Sequence, residues 1–164
     1  MVVFAPCKIH LQTRPLLGKH NQKIKSKKMK TAIMIEATIA APIDKIWRYW
    51  TEPEHIKNWS FASDDWCTPA TTNDLRVGGK FNSRMEAKDG SMGFDFWGTY
   101  TVVKENEKIE YTLGDGREIK IDFVKTGDKY NIVETFDAED ENPVEMQRDG
   151  WQAILNNFKK YVEE

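Results

Sequence analysis

Residues 31–59 read TAIMIEATIAAPIDKIWRYWTEPEHIKNW, and a change of period inside this stretch decides the fold. Ile33, Ile35, Ala37 and Ile39 alternate with Ala32, Met34, Glu36 and Thr38. An apolar residue at every second position predicts a strand with one buried face. Beyond Pro42, which suits a helix's first turn, Ile43, Ile46, Trp47 and Trp50 fall at i, i+3, i+4 and i+7 and form one helical stripe. Thr51-Glu52-Pro53-Glu54 matches a capping box and predicts a second short helix carrying Ile56 and Trp59. One strand is thus followed at once by two helices with a tight junction.

From residue 60 to residue 140 the period is mostly two. Gly78-Gly79, Asp89-Gly90, Asn106-Glu107, Asp115-Gly116 and Gly127-Asp128 are turn signals. They separate strand-like runs at Thr68–Asp74, Lys80–Ala87, Gly93–Lys104, Lys108–Leu113, Glu118–Lys125 and Tyr130–Asp137. Short turns between close strands predict an antiparallel meander. Gly98 interrupts the longest run and predicts a bulge or bend there. Asn142-Pro143-Val144-Glu145 then supplies a cap, a first-turn proline and an acid at the third helical position. Trp151, Ile154, Leu155, Phe158 and Val162 form the apolar stripe of a long final helix, with Gly150 inside it. The class is α+β, in the order β-α-α-β6-α. A curved antiparallel sheet wrapped around the long C-terminal helix would bury that stripe.

Composition sets the outer limits. The chain has 164 residues, enough for one domain, and six Trp, eight Phe and five Tyr argue against disorder. No stretch approaches the roughly 20 apolar residues of a membrane span. Two cysteines, Cys7 and Cys67, build neither a disulfide framework nor a zinc site alone, which suits a reducing compartment, the cytoplasm. The net charge is −2, but residues 1–30 carry eight basic side chains and no acid, leaving −10 on residues 31–164. Such a break marks a boundary between a basic flexible leader, residues 1–30, and one domain, residues 31–164. KIKSKKMK within the leader is a basic patch, read as a solvated tail; neither nucleic acid nor membrane is expected as a partner.

Four strings in this order, APIDKIWRYWTEPEHIKNW, DLRVGGKF, GFDFWGTYTVV and DGWQAILNNF, resemble the SRPBCC, or START-like, superfamily. Within it the chain is most similar to the activator of heat-shock protein 90 ATPase homologue family. The resemblance covers residues 31–164. It implies a helix-grip fold with an internal cavity between the long helix and the sheet, often able to hold an apolar small molecule. Eukaryotic co-chaperones of the family carry a larger N-terminal domain where this chain has its basic leader, so a stand-alone homologue is expected.

Catalytic motifs do not emerge. His55 lies between Glu54 and Lys57 and reads as part of a solvated face; Asp64-Asp65 reads as a loop cap. Gly78-Gly79 lacks a phosphate-loop frame, and Ser83, Ser91 and Thr135 lack a nucleophile elbow. No catalytic residue, metal ligand or cofactor is assigned. The aromatics are more informative. Trp47 and Trp50 on the first helix, Met85, Phe94, Phe96, Tyr100 and Tyr111 on the strands, and Trp151 and Leu155 on the last helix should surround one interior. Rigid aromatics with polar tips line many ligand pockets. Arg84 and Glu86 fall on the strand face opposite Phe81 and Met85 and read as a surface pair. The leading reading is a non-enzymatic binder of an apolar or aromatic small molecule, as a monomer or weak dimer. The alternatives are a chaperone-associated interaction domain and a polyketide-cyclase-like enzyme. A buried carboxylate with a perturbed pKa would favour the enzyme.

Overall fold

The computed structural model describes residues 31–164; the basic leader, and what is expected of it, lies outside the described residues. Strand β1 (Ala32–Ile39) leads into helices α1 (Ile43–Thr51) and α2 (Pro53–Ile56). Six strands follow: β2 (Trp66–Asn73), β3 (Lys80–Ala87), β4 (Gly93–Lys104), β5 (Lys108–Leu113), β6 (Glu118–Thr126) and β7 (Lys129–Asp137). Helix α3 (Val144–Glu163) closes the domain. The strands form one antiparallel sheet in the order β1-β7-β6-β5-β4-β3-β2. Strand β1 pairs with the last strand, from Ala32 opposite Asp137 to Ile39 opposite Tyr130. The result is a curled half-barrel gripping α3, the helix-grip arrangement expected. Among the described residues no helix is long and apolar enough to cross a membrane.

Alternation decides what the sheet buries. Ile33, Ile35 and Ile39 of β1, Ile119 and Ile121 of β6, and Ile132 and Phe136 of β7 are all at most 3% exposed on the inner face. Isoleucine suits such a surface because its branched side chain packs well on a pleat. Leu155, Phe158 and Val162, spaced i, i+3 and i+7 on α3, fill the groove against them. Helix α3 is fastened along the edge strand β1. Gln152 Nε2 donates to the Glu36 carbonyl at 3.1 Å, and the Ala40 amide donates to the Glu163 carboxylate at 2.8 Å. On its other flank Asn157 Nδ2 donates to the Phe61 carbonyl at 2.7 Å.

Several local expectations are corrected. Thr51 does not cap α2: its hydroxyl turns back to the Trp47 carbonyl at 2.8 Å and closes α1, and Glu52 occupies the N-cap of α2 without a side-chain bond. Likewise Pro143, not Asn142, is the N-cap of α3, and the Asn142 amide donates to Glu139 Oε1 at 2.7 Å. Strand β2 starts at Trp66, two residues early, with its register broken between Cys67 and Ala70. Pro69 lies inside that irregularity on an edge strand, where a missing amide is tolerated.

Gly98 lies in regular pairing, opposite Phe81 and Leu113; the irregularity in β4 falls between Tyr100 and Val102. The reason for glycine is close approach. A Cβ there would sit 2.8 Å from the Phe81 ring and 2.9 Å from the Thr112 carbonyl. The backbone oxygen is held by the sheet and cannot retreat. Gly98→Ala is therefore expected to lower stability by about 1–3 kcal/mol, read as a lower urea midpoint. An unchanged midpoint would mean that the Phe81 ring swings away at no cost.

Candidate functional site: a cavity between helix and sheet

Because α3 is fastened along β1, it reaches β4 through the side chain of Trp151 rather than by close backbone packing. A cavity of about 1400 Å³ remains between them. Trp50, Met85, Phe94, Phe96, Tyr100, Tyr111, Trp151 and Leu155 all line it. The ninth candidate, Trp47, does not. It shares the helical stripe with Trp50, but it is 8% exposed and packs edge-on against Phe123 of β6, with ring centroids 5.4 Å apart. One stripe on α1 thus serves two destinations, core and cavity, and spacing alone does not separate them.

Trp151 bridges the space. Its ring stacks on Phe136 of β7 at 4.2 Å and meets Phe96 of β4 edge-on at 5.8 Å. Phe81 completes the aromatic wall, meeting Tyr111 edge-on at 4.8 Å and Tyr100 at 5.4 Å. Trp97, by contrast, is 42% exposed and has Lys80 Nζ 5.9 Å above its ring. Arg84 and Glu86 pair at 2.8 Å, with Asp95 3.8 Å from the same guanidinium; all three are partly exposed, and Arg84 and Asp95 also border the cavity.

Most of the polar groups named so far have protein partners. The Tyr100 hydroxyl donates to Asn73 Oδ1 at 2.8 Å, and Asn73 Nδ2 donates to the Thr51 carbonyl at 2.6 Å. Ser83 and Thr71 share a hydrogen bond of 2.9 Å. Glu134 of β7 stands out. It falls between Ile132 and Phe136 on the inner face, is 5% exposed, borders the cavity, and makes no hydrogen bond or ion pair among the described residues. Burial pushes its carboxyl up to about 8. The Tyr111 hydroxyl, also without a hydrogen bond there, is held well above its ordinary range, first by burial and then by the Glu134 charge. Sequence reasoning missed Glu134, although its shared parity with Ile132 and Phe136 marks it as inward-facing.

The remaining candidates are structural. His55 is no solvated face: its ring stacks on Tyr49 at 3.8 Å, and its Nδ1 lies 2.9 Å from the Tyr161 hydroxyl, joining α2 to α3. Asp65 accepts the Ser63 hydroxyl, as a loop cap should. Cys67 is a free, partly buried thiol. Among the described residues no cluster of His, Cys, Asp and Glu could hold a metal ion.

The geometry agrees with known proteins. No curated protein matches the chain. Among solved structures, the AHSA1-like protein from Aeromonas hydrophila is 44% identical, with a TM-score of 0.77 over 81% of this chain and 92% of that one. Chr148 from Cytophaga hutchinsonii is 57% identical, with a TM-score of 0.71 over 80% and 91%. Protein CV1439 from Chromobacterium violaceum, at 21% identity and a TM-score of 0.74 over 82% and 99%, shares the fold. The family model described as Activator of Hsp90 ATPase homolog 1-like protein matches residues 40–163, which include both helices before the meander, the whole cavity-bearing sheet from β2 to β7, and α3. The chain belongs to that family.

Proposed function

We propose that the protein binds an apolar, ring-bearing small molecule in the cavity between α3 and the inner face of β3–β5. The carrying observation is the cavity itself: about 1400 Å³, lined by rigid aromatic side chains together with polar and charged ones such as Arg84, Asp95, Arg117, Glu134 and Glu139. That volume exceeds the roughly 300–1,000 Å³ typical of small-molecule pockets. Apolar cavities accept apolar guests, and a guest bound to the folded state alone raises its melting temperature by mass action. A surface role has less support. Of the exposed large apolar side chains among the described residues, Met34, Val77 and Val124 lie on β1, a loop and β6, while Trp97 and Met146 border the cavity itself.

The test is a titration of folded protein with fatty acids, flavonoids and an anilinonaphthalene dye, read by tryptophan fluorescence and by the melting temperature. Saturable binding is expected, with the signal carried by the tryptophans that border the cavity, Trp50, Trp59, Trp66, Trp97 and Trp151. Absence of saturable binding across the panel would move the weight to the partner-domain reading. Glu134 favours a second reading, a cyclase-like enzyme that moves a proton at this carboxyl. Its test is turnover of a polyketide-type substrate by the wild type and its loss in Glu134→Gln.

A further inference from the structure

Glu134 and Tyr111 pose a physical question that the fold does not answer. A carboxyl and a hydroxyl on the largely apolar inner face of the sheet border the cavity with no hydrogen-bond partner among the described residues. Tyr100, a neighbour of Tyr111 on the adjacent strand, shows the usual solution, its hydroxyl tied to Asn73. The two groups, unpartnered among the described residues, border the same cavity and interact electrostatically across β6.

We propose that Glu134 and Tyr111 are the polar anchor of the cavity, and that its ligand is an apolar ring molecule bearing a carbonyl oxygen, which accepts a hydrogen bond from each. This deepens the binding reading above and rests on it. The chemistry follows from what the neighbourhood lacks. No cation among the described residues is paired with Glu134, so burial keeps its carboxyl protonated near neutral pH and able to donate. Tyr111 keeps its phenolic proton for the same reason. Two neutral donors in an apolar site match an oxygen acceptor; a tyrosine beside a carboxylic acid held neutral is an established way to grip a carbonyl oxygen. The neighbouring side chains do not disturb this. Ile35 of β1 and Ile121 of β6, the register partners of Glu134, are apolar. Besides Glu134, the charged and titratable groups acting on Tyr111 are Tyr100 on β4 and Arg117 at the β5–β6 turn, while Arg84, Asp95, Asp115, Glu139, Asp140 and Glu141 share the cavity lining. Tyr100 is kept neutral by burial, and Arg117 Nε is paired with Asp115 at 2.9 Å. On the α3 side Glu139 is occupied by the backbone amide and side chain of Asn142.

Three naphthalenes of similar shape test the proposal: 2-acetylnaphthalene, 2-ethylnaphthalene and 2-naphthylmethylamine. Their dissociation constants are measured by tryptophan fluorescence at pH 6 and pH 9.5, with wild type, Tyr111→Phe and Glu134→Leu. At pH 6 the ketone should bind wild type at least about tenfold tighter than the ethyl compound, the scale of one or two net hydrogen bonds. Each substitution should cut that preference roughly tenfold while the ethyl compound binds as before or tighter. The preference should also shrink at pH 9.5, once the carboxyl has lost its proton. Equal binding of ketone and ethyl compound, unmoved by either substitution, would overturn the anchor and leave the binding reading standing. A preference for the amine that grows with pH would overturn it in favour of an ion pair. If none of the three binds, the reading and the anchor fall together. Both variants are conservative in shape and relieve a buried polar group, so loss of folding is not expected to intervene.

Discussion

Glu134→Gln should make the protein more stable in base than the wild type, by on the order of 3–5 kcal/mol at pH 9, while leaving the two within about 1 kcal/mol of each other at pH 5. The sign follows from proton counting. In the unfolded chain this carboxyl ionises around its ordinary value of 4.5; in the folded protein burial raises it to about 8. Between those values the folded state holds a proton that the unfolded state has released. Stability contributed by the protonated group is fully present below pH 4.5 and is lost as pH rises through the folded value, at about 1.4 kcal/mol per unit. Glutamine keeps the shape and cannot ionise, so the difference between the two urea-derived stability curves isolates this one group from the many surface carboxylates. Parallel curves from pH 5 to pH 9 would show that the cavity hydrates Glu134 well enough to restore its ordinary ionisation.

The second large effect is mechanical. Phe158→Ala is expected to cost about 3–5 kcal/mol, a third or more of the stability typical of a domain this size. Phe158 is fully buried, and its ring meets Trp50 at 4.7 Å and Trp59 at 4.8 Å, both nearly edge-on. Together with the His55–Tyr161 contact, it is how α3 grips the α1–α2 region. Removing the ring leaves a void between indoles that are themselves fixed, Trp59 by donating Nε1–H to the Tyr49 carbonyl at 3.0 Å. A loss under about 1 kcal/mol would mean that the indoles close over the gap.

Much of this fold is legible in residue order because its elements obey simple periods. Ala32–Ile39, Lys80–Ala87, Gly93–Lys104 and Lys108–Leu113 match their predicted bounds, since each is a run of alternation closed by turn residues. Asp115-Gly116 and Gly127-Asp128 make the turns they announce, with Gly116 at φ 87° and Gly127 at φ 65°. What failed were local polar details. Thr51 and Asn142 each had two hydrogen-bond options, and packing selected the one that capping rules do not describe. The site divides the same way. Aromatic residue type and strand parity point to the cavity wall, but Trp47 and Trp50 share one stripe and both meet Phe123, and of the two it is Trp50 that borders the cavity. Glu134 was overlooked because a lone acid in a strand reads as surface unless its parity is followed through Ile132 and Phe136.

The pairing of β1 with β7 also governs how the chain reaches this structure. Strands β2 to β7 each find a partner next to them in the sequence, so the meander assembles from local encounters. Residues 32–39 have no such neighbour: their hydrogen-bonding partners are residues 130–137, about a hundred positions away. On the ribosome the first strand leaves the exit tunnel before its mate has been translated. Ile33, Ile35 and Ile39 must wait, uncovered, until nearly the whole domain has emerged. Closing so long a loop makes the final step a slow one, and it ties the order of synthesis to a period of exposed isoleucine.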